Sequence, residues 1–193
     1  MTTESQSRLI DETYRALGHY VVAFAGLMHG LDRATWYLLT FGSGGKDSMM
    51  LEAVLAGREA RQIIEAFFAV YCLCWEGKLT RQDETILNQL RTELADAPKT
   101  RNRMMHDAWL YQMGGGDPVP QPLVLFRVQT HRSGANFVSD EQSPGQIEKL
   151  AADLERLSKA VNAIVFYRPP DQTGPKLDTR INIVDNKICL AGA

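Results

Sequence analysis

The sequence predicts an all-α fold, a four- to five-helix up-and-down bundle with a small β-hairpin inserted before the last helix. Three observations carry that expectation: apolar residues recur every three or four positions along most of the chain, two stretches carry helix-start signatures, and one short stretch drops to a period of two. At 193 residues, 45% apolar and 23% charged, the chain has the composition of one globular domain with a sizeable core. Disordered and fibrous classes are excluded.

From about Ser7 to Phe41, the residues Leu9, Thr13, Leu17, Val21, Phe24, Met28, Leu31, Thr35 and Leu38 form a helical stripe, which predicts a long first helix. Gly18, Gly26 and Gly30 weaken an isolated helix, so another helix is expected to pack closely against them. The run Gly42-Ser43-Gly44-Gly45 breaks the pattern. A second helix is expected from about Asp47 to Trp75, with Leu51, Leu55, Ile63, Phe67, Val70 and Leu73 on overlapping apolar faces. Gly77 interrupts it, and Thr80 with Asp83 three positions on reads as a new helix start before Ile86, Leu87 and Leu90. Ala97-Pro98 then marks a helix start or a kink, because proline disfavours helical geometry in the residue before it. The helix that follows is expected to run to the stop at Gly114-Gly115-Gly116-Asp117-Pro118.

Residues 123–130 alternate Val124, Phe126 and Val128 against Arg127 and Gln129, and Ser133-Gly134 supplies a turn before Asn136-Phe137-Val138. This predicts a hairpin over about 123–139. Ser143-Pro144-Gly145-Gln146 has the features of a capping box with proline at the first helical position, opening a helix striped by Ile147, Leu150, Leu154, Leu157, Val161 and Ile164. Pro169-Pro170 ends it. The expected organisation is one helical domain over 1–168, then an extended or partly disordered tail over 169–193 with one strand-like run at 180–184.

A formal charge of −2 argues against wholesale nucleic-acid binding, so any RNA contact must come from a local patch such as Lys99, Arg101 and Arg103. Three cysteines, Cys72, Cys74 and Cys189, are an odd number without zinc-finger spacing, which predicts a reducing, cytoplasmic setting. The longest apolar stretch, from Tyr20 to Met28, is about half the roughly 20 residues that a bilayer span takes. No membrane partner, metal or cofactor is expected.

Within the third helical region, Arg101-Asn102-Arg103-Met104-Met105-His106 sets a permanent cation five residues before a side chain that titrates near neutrality. On a helical wheel from Arg101, Met105 falls at about 40°, Trp109 at about 80°, Asn102 at about 100° and His106 at about 140°. One broad face thus carries a cation, an amide, a base and an aromatic, which suits cleavage of a phosphodiester. A competing motif, Ser43-Gly44-Gly45-Lys46-Asp47-Ser48, looks like the pyrophosphate-binding loop of ATP pyrophosphatases. That loop belongs to a parallel sheet, however, and residues 49–113 offer helical pattern instead.

The helix order, the Arg101-Asn102-x-x-x-His106 spacing and the inserted hairpin together resemble the HEPN family, small all-α proteins related to toxin and defence ribonucleases. The resemblance covers about residues 7–168, with Arg101, Asn102 and His106 matching the family motif position for position. It implies metal-independent RNA cleavage at a homodimer interface, with His106 as general base or acid and Arg101 bracing the phosphate. Asn102 would orient the histidine or the phosphate, Lys99 and Arg103 would steer RNA by charge, and an antitoxin or other protein partner is a further expectation. Glu65 and Glu59 on the second helix, Asp107 and Trp109 are supporting candidates. Many family members carry glycine where this chain has Asp107, which keeps a non-catalytic, dimeric binding module of the same fold as the alternative. The ATP pyrophosphatase type is the third reading.

Overall fold

The computed structural model describes residues 4–40, 57–106, 108–110, 123–131, 134–166 and 175–192. The fold is all-α with a small antiparallel sheet inserted before the last helix, as the periodicity predicts. In chain order the described elements are α1 (Glu4–Thr40), α2 (Ala60–Cys74), α3 (Arg81–His106), β1 (Ala108–Leu110), β2 (Leu123–His131), β3 (Gly134–Gln142), α4 (Pro144–Val165), a 3-10 turn (Leu177–Thr179), β4 (Ile181–Val184) and β5 (Lys187–Leu190). The chain divides into two compact units, Met1–Ala23 with Lys99–Asp153, and Phe24–Pro98 with Leu154–Ala193.

The second unit holds the larger share of the bundle: residues 24–40 of α1, all of α2, residues 81–98 of α3 and residues 154–165 of α4. Its core is built from Leu27 and Leu31 of α1, Phe67 and Tyr71 of α2, Leu90 and Leu94 of α3, and Leu157 and Val161 of α4, all buried. Phe67 meets Phe68 edge-on at 5.2 Å and Tyr71 at 5.9 Å, so the centre of this core is aromatic. Arg91 pairs with Glu65 across α2 and α3, and Arg156 Nη2 donates to Glu93 Oε2 at 2.7 Å across α3 and α4.

The helix starts follow local chemistry. At α3, Asp83 N–H donates to Thr80 Oγ1 at 3.1 Å while Thr80 N–H donates to Asp83 Oδ2 at 2.9 Å, the reciprocal box that the Thr80/Asp83 spacing predicts. Ser143 and Gln146 do the same at α4, through 2.6 Å and 3.2 Å bonds, with Pro144 in the first helical position. The second helix departs from expectation. Gly57 takes φ +75° and Glu59 caps a helix beginning at Ala60, with Glu59 N–H bonded to Gln62 Oε1 at 3.0 Å, so no continuous helix runs from Asp47 through this point.

Three further differences bear on the site. Pro98 lies inside a continuous α3 and so starts no helix, though it lacks the amide that would bond to Leu94, and the boundary between the two compact units falls directly after it. Buried Leu94, Ala97 and Met104 on either side of it hold the helix to its neighbours, and packing outweighs the one lost hydrogen bond. The helix also ends earlier than expected, at His106, because Ala108–Leu110 is a strand paired antiparallel to β2. Finally, residues 175–192 hold more than one strand: β4 and β5 form a hairpin closed by Asp185 (φ 49°) and Asn186 (φ 62°), the two left-handed positions a tight two-residue turn requires.

That hairpin is fixed to the helices by carboxylates on α3. Asp83 Oδ1 accepts the Leu177 amide at 2.8 Å, and Glu93 Oε1 accepts the Ile188 amide at 2.7 Å. Arg156 donates to the Ile188 carbonyl, and Gln89 donates to that of Asn186. Leu177, Ile181 and Ile188 are buried beneath these bonds.

Along α1 the buried line runs through Thr13, Ala16, Tyr20, Leu27, Met28, Leu31, Ala34 and Thr35, so Thr13, Met28, Leu31 and Thr35 of the expected stripe are buried while Val21 is exposed. Thr13 and Thr35 bond back to the Leu9 and Leu31 carbonyls at 2.8 Å each, which satisfies their buried hydroxyls. The expected close packing at the α1 glycines is met at Gly30, where an added Cβ would lie 3.7 Å from Ser158 Oγ. At Gly18 and Gly26 an added Cβ would meet nothing within 4 Å. No helix among the described residues is long and apolar enough to cross a membrane.

Candidate functional site

The unit containing the Arg-to-His motif comprises residues 4–23 of α1, residues 99–106 at the end of α3, the β1-β2-β3 sheet and the first turns of α4. Among the described residues, Thr13, Ala16, Tyr20, Met104, Ile147 and Ala151 are its buried side chains on the helices. His19 of α1 pairs with Glu148 of α4, Nδ1 to Oε2 at 2.6 Å, an interaction that nothing in the local sequence signals.

Because α3 passes through Pro98 without a break, Lys99, Arg101, Asn102, Arg103 and position 106 are carried on its last two turns. Asn102 and Lys99 are exposed, Arg101 and Arg103 half-buried. Arg101 Nη1 donates to Asn102 Oδ1 at 3.2 Å, so the amide oxygen orients the guanidinium beside it. At 100° per residue, position 106 falls at about 140° from Arg101, between Asn102 at about 100° and Lys99 at about 160°. Position 106 thus falls on the same sector of the helical wheel as Asn102 and Lys99. The His106 side chain itself, like those of all residues up to 141, lies outside the described residues.

Tyr20, 1% exposed, brings α1 into the site. Its hydroxyl has no hydrogen-bond partner among the described residues. Burial pushes its pKa up to about 12, while the positive charges of Arg101 and Arg103 pull the other way, which places both guanidinium groups within electrostatic reach of the ring. The folded-state pKa thus exceeds the ordinary value of 10.0, so this group's contribution to stability is complete below about pH 10 and is lost as pH rises toward 12. Tyr20→Phe is expected to remove that alkaline loss, measured as a flatter dependence of the urea midpoint on pH above 10.

The supporting candidates are dispersed. Glu65 pairs with Arg91, and Glu59 caps α2; both belong to the other compact unit. Trp109 stands on β1 and not on the motif helix, so its position on the helical wheel does not apply. Asp107 lies outside the described residues, as does the Ser43-Gly44-Gly45-Lys46-Asp47-Ser48 loop. Every described strand pair is antiparallel, so the parallel framework that an ATP-pyrophosphatase loop needs is missing among the described residues. Met105 is 43% exposed, whereas its neighbour Met104 is buried.

Sequence reasoning missed Tyr20 because a tyrosine in a helical stripe carries no local mark of the cations it will meet. Compared with known proteins, the chain matches no family model, no curated protein and no solved structure.

Proposed function

We propose that this chain is a HEPN-type, metal-independent endoribonuclease, with Arg101, Asn102 and His106 as its working residues. The observation that carries this reading is the continuous end of α3, which carries Arg101 and Asn102 in hydrogen-bond contact, with position 106 on the same sector of the helical wheel as Asn102. In the proposed reaction His106 takes the proton of an RNA 2′-hydroxyl, the oxygen attacks the adjacent phosphorus, and the bond to the 5′ oxygen breaks as that oxygen gains a proton. The products are a 2′,3′-cyclic phosphate and a free 5′-hydroxyl. Arg101, held by Asn102, braces the phosphate oxygens as negative charge accumulates, and Lys99 and Arg103 draw the backbone in. Two such helix ends, from two copies of the chain, frame the cleft.

The test is cleavage of a mixed RNA substrate by the purified protein in EDTA. Cyclic-phosphate ends are expected, with a loss of at least about a hundredfold on His106→Ala, the lower range for a removed acid–base group. Equal cleavage by His106→Ala overturns the assignment. A non-catalytic dimeric binding module is the second reading, favoured by the exposed apolar residues of α1, Tyr14 at 69% and Val22 at 70%. Stable association without turnover of any RNA selects it. A toxin-like pairing with an antitoxin protein is compatible with either reading.

A further inference from the structure

Cleavage of RNA by its own 2′-hydroxyl moves two protons, one away from that hydroxyl and one onto the departing 5′ oxygen. In an in-line displacement the attacking and leaving oxygens stand on opposite sides of phosphorus, so the group that supplies the second proton approaches from a different direction than the base. Arg101 and His106 are both on α3. In the same compact unit, α1 carries a titratable side chain of its own, His19.

His19 Nδ1 lies 2.6 Å from Glu148 Oε2 of α4, and both side chains reach solvent, at 41% and 44% exposure. A carboxylate only accepts, so Nδ1 carries the proton of this bond, and Nε2 on the opposite edge of the ring is the atom that can pass a proton to a substrate. A carboxylate behind one ring nitrogen and a reacting group before the other is how acid–base histidines are kept in one tautomer and one orientation. A simple tie between two helices is served better by a permanent cation; histidine adds the capacity to give its proton up. The surroundings suit an RNA strand. Arg15, exposed and one turn before His19 on the same side of the helix, is a cation for a neighbouring phosphate. Gly18 has nothing within 4 Å of where a Cβ would sit, so the helix surface next to His19 is open among the described residues. Tyr20, the next residue in the chain, brings this turn of α1 to the motif, since Arg101 and Arg103 act electrostatically on its ring.

We propose that His19, held by Glu148, is the acid that protonates the departing 5′ oxygen, an inference that rests on the ribonuclease reading. The imidazolium gives its Nε2 proton to that oxygen as the bond from phosphorus breaks, and His19 is left neutral with Nδ1–H still on Glu148. His106 then holds the proton taken from the 2′-hydroxyl, and exchange of both rings with water restores the starting state. Glu148 is a positioning residue: it touches no substrate atom and keeps the ring in one orientation.

The test is cleavage of an oligoribonucleotide at a linkage the wild type cuts, made with either oxygen or sulfur as the bridging 5′ atom, because a thiolate leaves without a proton. On the oxygen substrate His19→Ala is expected to lower kcat by at least about a hundredfold with KM little changed. On the sulfur substrate it is expected to come within about tenfold of wild type, because the step that needs the acid is gone, while His106→Ala stays impaired on both. Glu148→Gln is expected to lose at least about tenfold on the oxygen substrate and to be relieved by sulfur in the same way. Both side chains are at the surface, and circular dichroism of the variants is expected to match the wild type. Wild-type cleavage of the oxygen substrate by His19→Ala overturns the proposal and leaves the His106 reading standing. A loss that sulfur does not relieve also overturns it, since a merely structural pair affects both substrates alike. A wild type that cuts no RNA overturns the proposal together with the reading it rests on.

Discussion

Phe67→Ala is expected to destabilise the protein by about 3–5 kcal/mol, the range for deleting a large buried aromatic. Phe67 is 0% exposed, in the middle of the buried α2 residues Ile63, Ile64, Phe68 and Tyr71, and its ring meets those of Phe68 and Tyr71. Truncation leaves a cavity that the surrounding rings cannot fill without leaving their own contacts. Urea denaturation monitored by far-ultraviolet dichroism should show the midpoint fall with the slope unchanged. A loss below about 1 kcal/mol would mean that the aromatic centre can repack.

Asp83→Ala is expected to cost about 3–4 kcal/mol, combining a lost helix cap of about 1–2 with an orphaned buried amide of about 1–3. The carboxylate is 1% exposed and works in two directions: Oδ2 holds Thr80 at the start of α3, and Oδ1 holds the Leu177 amide ahead of the C-terminal hairpin. Loss of a cap alone would leave hydrogen exchange at Leu177 slow. Loss of both roles should speed exchange at Leu177 and at the Ile188 amide beyond it, and thermal unfolding of Thr80→Ala should then recover only the cap's part of the effect.

The features legible in the sequence are those decided by neighbours in the chain. Thr80 with Asp83, and Ser143 with Gln146, announce their helices because a capping box closes within three residues. The β2-β3 hairpin was legible in the alternation of Val124, Phe126 and Val128. What was not legible depends on distant partners. Ala108-Trp109-Leu110 has no strand period of its own and is a strand because β2 pairs with it. Pro98 reads as a helix start or a kink, and the start is ruled out by the continuous helix on both sides of it, with Leu94 and Met104 buried. The α1 stripe through Leu17 and Val21 and the observed line through Ala16 and Tyr20 have the same spacing one residue apart, and only tertiary burial chooses between them. At the candidate site the placement of Arg101 and Asn102 followed from helix period, whereas the nearness of Tyr20 to Arg101 and Arg103 came from the return of the chain.

The C-terminal hairpin is gripped through its main chain: the amides of Leu177 and Ile188 and the carbonyls of Asn186 and Ile188 face side chains of α3 and α4. Peptide groups are the same whatever residue bears them. Drift of side-chain identity at the exposed hairpin positions is therefore cheap, whereas a shift of β5 by one residue would turn the Ile188 amide and carbonyl away from Glu93 and Arg156 and leave both side chains without these partners. The segment is constrained in length, in its buried residues Leu177, Ile181 and Ile188 and in its turn, and is free in spelling elsewhere.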